Sequence, residues 1–187
     1  MRLAIISDIH DNLANLERFL EVFGQECEAQ CEAPSASHSC GIICCGDVTT
    51  PETLGWLAER FGGPIKLVCG NMEIQREEFA EVAKRHDNLE IFSEIGALHH
   101  TEQGKNGLVE VNIAFVHKPD KVEELAHPPA GGGKYNFVFY GHTHKPWTKQ
   151  IGQTLIANPG TLGGVFTAPT FAVLDTETDK LELIKLY

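Results

Sequence analysis

The sequence contains no long hydrophobic segment. None of its apolar runs approaches the ~20 residues that a helix needs to cross a bilayer, which argues against an integral membrane protein. Met1 and Arg2 lead into only four apolar residues before Ser7 and Asp8, so the start of the chain lacks the charge and apolar length of a secretory signal peptide. We therefore expect a cytoplasmic protein with no membrane partner.

Basic residues are scarce. The chain has 15 Lys and Arg against 26 Asp and Glu, a formal net charge of -11, so a generic nucleic-acid-binding surface is not expected. A phosphate ester remains possible as a substrate, because bound divalent cations would dominate the local electric field. The 9 histidines matter more than the net charge, since neutral imidazoles are available as metal ligands near pH 7.

No CxxC pair occurs among the 6 cysteines. Without a secretion signal, a disulfide framework is not expected. Three cysteines lie in strand-like runs and are interpreted as small buried hydrophobic residues: Cys44, Cys45 and Cys69. The other three could form a small zinc site together with one histidine: Cys27, Cys31, His38 and Cys40. Their role is left open.

The first half of the chain alternates strand and helix patterns. Residues 2–7 are nearly all apolar, which is typical of a strand buried on both faces. Residues 12–24 carry apolar side chains at helical spacing, with Asn12 as the N-cap, and polar residues 26–40 indicate a loop. Further strands are predicted at GIICCGD and PIKLVCGN, and further helices at 51–61 and 74–86. This βαβαβ order predicts a parallel sheet with right-handed crossovers.

The second half shows strand patterns at short spacing. Strands are predicted at 89–92, 96–101, 108–116, 136–140, 147–151, 153–157, 170–175 and 181–186. One helix is predicted at 119–127, starting at Pro119, and the glycine-rich stretch 130–134 is interpreted as a flexible loop because it does not match the P-loop pattern. Closely spaced strands favour an antiparallel or mixed second sheet packed on the first. No composition shift divides the chain, so one domain over residues 1–187 is expected.

Polar side chains of the metal-ligand type recur where predicted strands end. They are Asp8 and His10 in SDIHDN, Asp47 in GD, Asn71 in GN, His117, and His142 and His144 in GHTH. Taken alone, each motif has a simpler reading, since Asp and Asn are also favoured in turns and at helix caps. Because ligands of open α/β sheets gather beyond the carboxyl ends of strands, the five motifs are expected to converge. Their combination favours a metal site.

The ordered motifs D-x-H, GD, GN, a single His and GHTH resemble the calcineurin-like metallophosphoesterase superfamily. The short length and NPGT at 158–161 resemble its small YfcE-like phosphodiesterase branch. The resemblance spans essentially the whole chain. It implies an α/β fold, a four-layer αββα sandwich of two mixed β-sheets flanked by helices.

The resemblance also implies a dinuclear metal centre. The first ion would be held by Asp8, His10, Asp47 and His144, and the second by Asp47, Asn71, His117 and His142. The bridging Asp47 would keep the ions ~3.5–4 Å apart, and a hydroxide shared by them would attack the phosphorus of a small phosphoester. Asp47, Asn71 and His117 are the expected catalytic residues. Mixed Asp, Asn and His ligands favour Mn²⁺, with Ni²⁺, Fe²⁺ or Zn²⁺ as alternatives.

The sequence departs from the family pattern after GN and after the single His. Many members carry a His after GN, which can protonate the leaving alkoxide, whereas Met72 cannot donate a proton. Glu73 could orient a ligand or act through water. Lys118 could contact a substrate phosphate or face solvent. Asn158 is interpreted as a turn residue that supports the site, and Asn12 as a helix cap rather than a substrate contact.

Two alternatives remain from the sequence. The fold is also used by a retromer subunit as a protein-interaction scaffold, although here all seven ligand positions are filled. A phosphomonoesterase or nucleotide phosphatase would keep the same site with another substrate. Small members of the family often assemble as homodimers or homotetramers.

Overall fold

Two β-sheets form the centre of the protein in the computed structural model, which describes residues 1–28, 40–104, 107–127 and 135–187. The strands are β1 (Arg2–Ile6), β2 (Cys40–Cys44), β3 (Ile65–Val68), β4 (Leu89–Phe92), β5 (Ile95–Gly104), β6 (Gly107–Val116), β7 (Phe137–Tyr140), β8 (Trp147–Ile151), β9 (Thr154–Asn158), β10 (Thr170–Asp175) and β11 (Lys180–Lys185). The first sheet has the order β11-β10-β1-β2-β3-β4, and the second has the order β5-β6-β7-β9-β8. Both sheets mix parallel and antiparallel pairs.

Four α-helices accompany the sheets. They are α1 (Leu13–Glu28), α2 (Pro51–Arg60), α3 (Arg76–Arg85) and α4 (Val122–Ala126). The helix predicted at 119–127 begins as a 3-10 turn at Pro119–Lys121 and becomes α-helical only from Val122. Thr50 caps α2 by accepting a hydrogen bond from the backbone N–H of Thr53, and Pro51 occupies the first turn, where its missing N–H costs nothing.

Three apolar cores separate the layers. Alternate residues of β1 point to opposite faces of the first sheet: Ala4 and Ile6 pack with α1, α2 and α3, while Leu3 and Ile5 pack against the second sheet. A third core lies between the outer face of the second sheet and α4. The layer order is therefore helix, sheet, sheet, helix, which confirms the αββα sandwich and explains why β1 is apolar at nearly every position.

The parallel strands put their carboxyl ends at one edge. β1, β2, β3 and β4 are parallel neighbours, joined in sequence by α1, α2 and α3. In the second sheet β6, β7 and β9 are also parallel. The residues that follow β1, β2, β3, β6 and β7 therefore come from ends of the same kind, which is the arrangement that brings ligands together in α/β folds.

Three strands predicted for the second sheet belong to the first. β4 pairs with β3, β10 pairs with the other side of β1, and β11 continues that edge. The strand patterns were right, but the assignment to a sheet was wrong. Alternation of apolar residues indicates a strand without indicating its partner, and β10 reaches β1 from more than 160 positions away in the chain.

The cysteines divide into bonded and free groups. Cys27 near the end of α1 and Cys40 at the start of β2 form a disulfide, so the expectation of no disulfide is wrong for this pair. Neither sulfur is then available as a thiolate for the small zinc site, whose other members, Cys31 and His38, lie outside the described residues. Three cysteines are free and buried, as expected: Cys44, Cys45 and Cys69.

Two predicted loops lie wholly or largely outside the described residues: 130–134, and the part of 26–40 between positions 28 and 40. In the described ranges, none of the helices combines the length and the apolarity that crossing a membrane requires.

Candidate metal centre

Within each sheet, the segments that follow neighbouring strands are hydrogen-bonded to one another. The backbone N–H of Asp8 donates to the carbonyl of Gly46 (2.9 Å), and that of His10 donates to Asp47 (3.1 Å). In the second sheet the N–H of Gly141 donates to the carbonyl of His117 (3.0 Å). These bonds join four of the predicted motifs in two pairs, SDIHDN with GD in the first sheet and His117 with GHTH in the second.

A first cluster joins Asp8, His10 and His144. Nε2 of His144 lies 3.3 Å from Oδ1 of Asp8 and 3.2 Å from Nε2 of His10, and Nε2 of His10 lies 3.9 Å from the same Oδ1. The side chain of Asp8 is fully buried, and its Oδ1 receives no hydrogen bond from any described residue. A buried carboxylate oxygen without a donor is costly unless a cation faces it.

A following loop orients His144. Nδ1 of His144 is 3.2 Å from the carbonyl oxygen of Val165, to which a protonated Nδ1 donates, so the lone pair of Nε2 points at Asp8. The hydroxyl of Thr167 donates to the carbonyl of His144 (2.7 Å). Between them Phe166 is 93% exposed, and its ring centroid lies 5.7 Å from that of His144. This loop was not predicted from the sequence, where its signal is the pair Gly163-Gly164, separated from the NPGT segment by Leu162.

A second cluster joins Asp47, His117 and His142, with Asn71 in contact. Nε2 of His117 lies 2.9 Å from Oδ1 of Asn71, 3.4 Å from Oδ2 of Asp47 and 3.2 Å from Nδ1 of His142. The opposite nitrogen of His117, Nδ1, is 2.8 Å from the carbonyl oxygen of Cys45 and donates to it. In a neutral ring, Nε2 therefore presents a lone pair to two oxygen acceptors.

The acceptor-rich geometry requires positive charge. Burial disfavours the charged imidazolium, but the hydrogen bond and the charge of Asp47, with the carbonyl of Cys45 and the charge of Asp8, together outweigh it and raise the pKa of His117. Burial likewise opposes ionisation of Asp47, but hydrogen bonds from His117 and from the N–H of Met72, together with the positive charges of His117 and His10, outweigh it and lower the pKa of that carboxyl. Burial is the main cause that raises the pKa of Asp8. A proton on His117 would supply the positive charge that the oxygen acceptors of the second cluster need. A metal ion in each cluster would supply it to both.

The donor set fits divalent ions. Carboxylate, imidazole and amide groups are ligands for borderline metals such as Mn²⁺ and Zn²⁺. The two clusters are linked, because the N–H of His142 donates to Oδ2 of Asp8 (3.0 Å) and so leaves Oδ1 for the first cluster. The structure thus brings together all seven residues that the sequence singled out, as two adjoining groups.

The backbone at these positions is left-handed. Five of the seven residues have positive φ, between 49° and 68°: Asp8, His10, Asp47, His142 and His144. Such conformations cost about 1–3 kcal/mol each in residues other than glycine and persist only where surrounding structure holds them. These conformations occur where the chain leaves the strands, at the positions whose side chains form the two clusters.

Glu73 provides much of that support. Its buried carboxylate accepts hydrogen bonds from the backbone N–H groups of Val48 (2.6 Å), Asp47 (3.1 Å) and Thr49 (3.1 Å), and also from Gly70. Of the two roles open from the sequence, the geometry therefore favours orientation of a ligand. Glu73 acts through the backbone, by tying the loop after β2 to the loop after β3.

We expect Glu73→Gln to destabilise the protein by about 2–4 kcal/mol. The amide nitrogen would face backbone donors, which leaves buried N–H groups without an acceptor and removes charge-assisted hydrogen bonds. Urea unfolding followed by circular dichroism measures the change. Glu59→Gln, at an exposed position of α2, is the matched control and should leave the midpoint unchanged. A Glu73→Gln midpoint equal to that of the control would contradict this role.

The two asparagines take the roles expected from the sequence. Asn12 precedes α1, and its Oδ1 accepts from the N–H of Asn15 (3.1 Å), which is an N-cap. Asn158 donates to the carbonyl of Gly141 (2.8 Å) and to the hydroxyl of Thr143 (3.1 Å), so it supports the GHTH turn from behind. Neither side chain is part of the two clusters.

Comparisons with known proteins agree with this geometry. The family model described as the calcineurin-like phosphoesterase superfamily domain matches residues 1–179. Phosphodiesterase MJ0936 of Methanocaldococcus jannaschii is 26% identical over 188 residues, covering 100% of this chain and 99% of that protein.

Solved structures with the same fold include enzymes and sorting proteins. A structure described as a novel archaeal phosphodiesterase superposes with a TM-score of 0.72 at 23% identity, covering 100% of both chains. Vps29 of Chaetomium thermophilum superposes with a TM-score of 0.61 at 16% identity, covering 100% of this chain and 97% of that one. Yfce, a phosphoesterase from E. coli, superposes with a TM-score of 0.57 at 20% identity, covering 100% of both chains. The match over nearly the whole length confirms the resemblance seen in the motifs: the chain belongs to the calcineurin-like phosphoesterase superfamily.

Proposed function

We propose that the protein is a metal-dependent phosphodiesterase with a dinuclear centre. One observation carries the proposal: two adjoining clusters of carboxylate and imidazole groups lie beyond the strand ends, and the buried Oδ1 of Asp8 in one of them receives no hydrogen bond from any described residue. Family membership supports hydrolysis of a phosphoester, and the relative MJ0936, named a phosphodiesterase, supports the diester.

The seven residues would serve as ligands of two ions. Asp8, His10 and His144 would hold the first, and Asn71, His117 and His142 the second, with Asp47 bridging. When bound, the ions would supply a hydroxide for attack on phosphorus and neutralise charge on the phosphoryl oxygens. Asp47, Asn71 and His117 are the proposed catalytic residues, because their side chains meet in the second cluster, where Asp47 and His117 are buried. Mn²⁺ is our first choice of metal, ahead of Ni²⁺, Fe²⁺ and Zn²⁺.

The leaving group receives no proton from the residue after Asn71. Met72 contributes only its backbone N–H, which donates to Oδ1 of Asp47 (2.9 Å). Esters of acidic alcohols and phenols should therefore react fastest, since their oxyanions leave without protonation. We propose a small phosphoester as the substrate of a cytoplasmic enzyme, which acts as one domain and forms a homodimer or homotetramer.

Hydrolysis of bis-p-nitrophenyl phosphate tests the proposal. The metal-free protein should be inactive, Mn²⁺ should restore turnover, and a chelator should remove it again. Elemental analysis of the restored protein should find two ions per chain. Absence of turnover with every one of the four metals would refute a phosphodiesterase.

A protein-interaction scaffold is the second candidate, because Vps29 is among the proteins with this fold. A scaffold has no need of metal. It would be favoured by near-zero bound metal after reconstitution, together with a normal fold by circular dichroism. Turnover of phosphomonoesters in preference to diesters would instead favour the phosphatase alternative.

A further inference from the structure

A pocket of about 290 Å³ opens beside the second cluster. Asn71 and His117 form part of its wall, so the pocket is continuous with the candidate metal centre. Its volume is at the small end of the range for ligand pockets, ~300–1,000 Å³, and suits one small polar group rather than a whole cofactor.

Cations concentrate in this pocket although the chain as a whole is acidic. Arg76, Lys118 and Lys121 line it, against two acids, Glu94 and Asp120. Three positive and two negative charges leave an excess of one positive charge, in a chain whose net charge is -11. Bound metal ions would add to this excess at the Asn71 side.

Two of the cations are not committed to a carboxylate. Lys121 donates to Glu94 (2.7 Å), which occupies both of them. Arg76 makes only a long contact to the carbonyl of Ser93 (3.4 Å), and within the described ranges neither Arg76 nor Lys118 has a carboxylate at ion-pair distance. Lys118 is exposed and directly follows His117. An uncommitted guanidinium and ammonium beside a phosphoryl-transfer site are suited to a second anionic group.

We propose that this pocket binds a second phosphate group of the substrate, with Lys118 and Arg76 as its specificity-determining residues. The inference rests on the proposed function and narrows it: the preferred substrate is a phosphodiester that carries a further phosphate. Lys118 then does not merely face solvent, and it discriminates between substrates without taking part in bond cleavage.

Two matched esters test the pocket. The p-nitrophenyl esters of thymidine 5′-phosphate, with and without a 3′-phosphate, share the leaving group and differ by one phosphate. With the Mn²⁺-loaded protein, the 3′-phosphorylated ester should have about a tenfold lower KM at similar kcat. Lys118→Gln should abolish most of that difference, Arg76→Gln should reduce it, and rising salt should shrink it.

Lys145→Gln is the matched control, because Lys145 follows His144 as Lys118 follows His117, is exposed, and does not line the pocket. It should keep the tenfold difference. Equal KM values for the two esters in the unaltered protein would overturn the inference, as would equal losses in Lys118→Gln and Lys145→Gln.

Binding separates failure of the pocket from failure of the proposed function. Calorimetric titration of the Mn²⁺-loaded protein with thymidine 3′,5′-bisphosphate and thymidine 5′-phosphate requires no turnover. Tighter binding of the bisphosphate, lost in Lys118→Gln, would support the pocket even if neither ester were hydrolysed. Hydrolysis of both esters with equal binding of the two nucleotides would refute the pocket and leave the phosphodiesterase intact.

Discussion

Asp47→Asn is expected to reduce turnover of bis-p-nitrophenyl phosphate by about 10³-fold or more. Asparagine keeps the shape of the side chain and can still accept the N–H of Met72 at Oδ1, so the loop after β2 should keep its conformation. What it loses is the negative charge that faces His117 at 3.4 Å and that would be shared by two ions. Loss of several kcal/mol of charge stabilisation in the transition state corresponds to this factor, since each ~1.4 kcal/mol is tenfold in rate.

Metal content should be measured together with turnover, because the bridging role predicts that both fall while the fold is kept. We expect Asp47→Asn to bind fewer than two ions per chain. Its free energy of unfolding should stay within about 1 kcal/mol of that of the unaltered protein. Asp87→Asn makes the same chemical change at an exposed position after α3 and should alter neither quantity. Full turnover in Asp47→Asn would disprove the bridging role.

Gly70→Ala is expected to disable the site by overlap rather than by loss of charge. A Cβ on Gly70 would overlap Oδ1 of Asp47 and would lie 2.7 Å from the backbone nitrogen of Asp47 and 2.9 Å from Nδ1 of His117. Both neighbours are buried and fixed, one by Glu73 and the other by the carbonyl of Cys45. We expect turnover to fall by at least about 100-fold and the free energy of unfolding by about 1–3 kcal/mol.

Gly24→Ala is the control for that substitution. Gly24 lies in α1, and a Cβ there would have no neighbour within 4 Å. Because alanine is the better helix former, this variant should gain about 0.5–1 kcal/mol and keep full activity. If Gly70→Ala matched it in turnover, the close packing of Asp47 against Gly70 would have no part in catalysis.

The strand ends could be predicted from the sequence because their signal is local. A buried strand followed by Gly-Asp or Gly-Asn marks both the element and the place where it stops, and the order of the motifs supplied the family. The reach of Glu73 to the loop after β2 had no such signal. Its carboxylate bonds groups 24–26 positions away in sequence, and a charged residue four places after Cys69 looks like any exposed loop acid.

Contacts between residues far apart in the chain were the other feature that could not be predicted from the sequence. The Cys27–Cys40 disulfide depends on how the end of α1 returns to β2, and spacing alone does not show which cysteines meet. Lys118 shows the same limit at the level of function. Its position after His117 was visible in the sequence, but the pocket that it lines is formed together with Arg76 at the start of α3.

The left-handed backbone of five residues in the candidate metal centre has an energetic cost. Glycine would adopt each of those five backbone conformations at lower energy, but it has no ligand atom. The chain carries a carboxylate or an imidazole at all five positions: Asp8, His10, Asp47, His142 and His144. Under the proposed function, bound metal ions would offset this conformational cost, which a scaffold without metal would have to meet through other contacts.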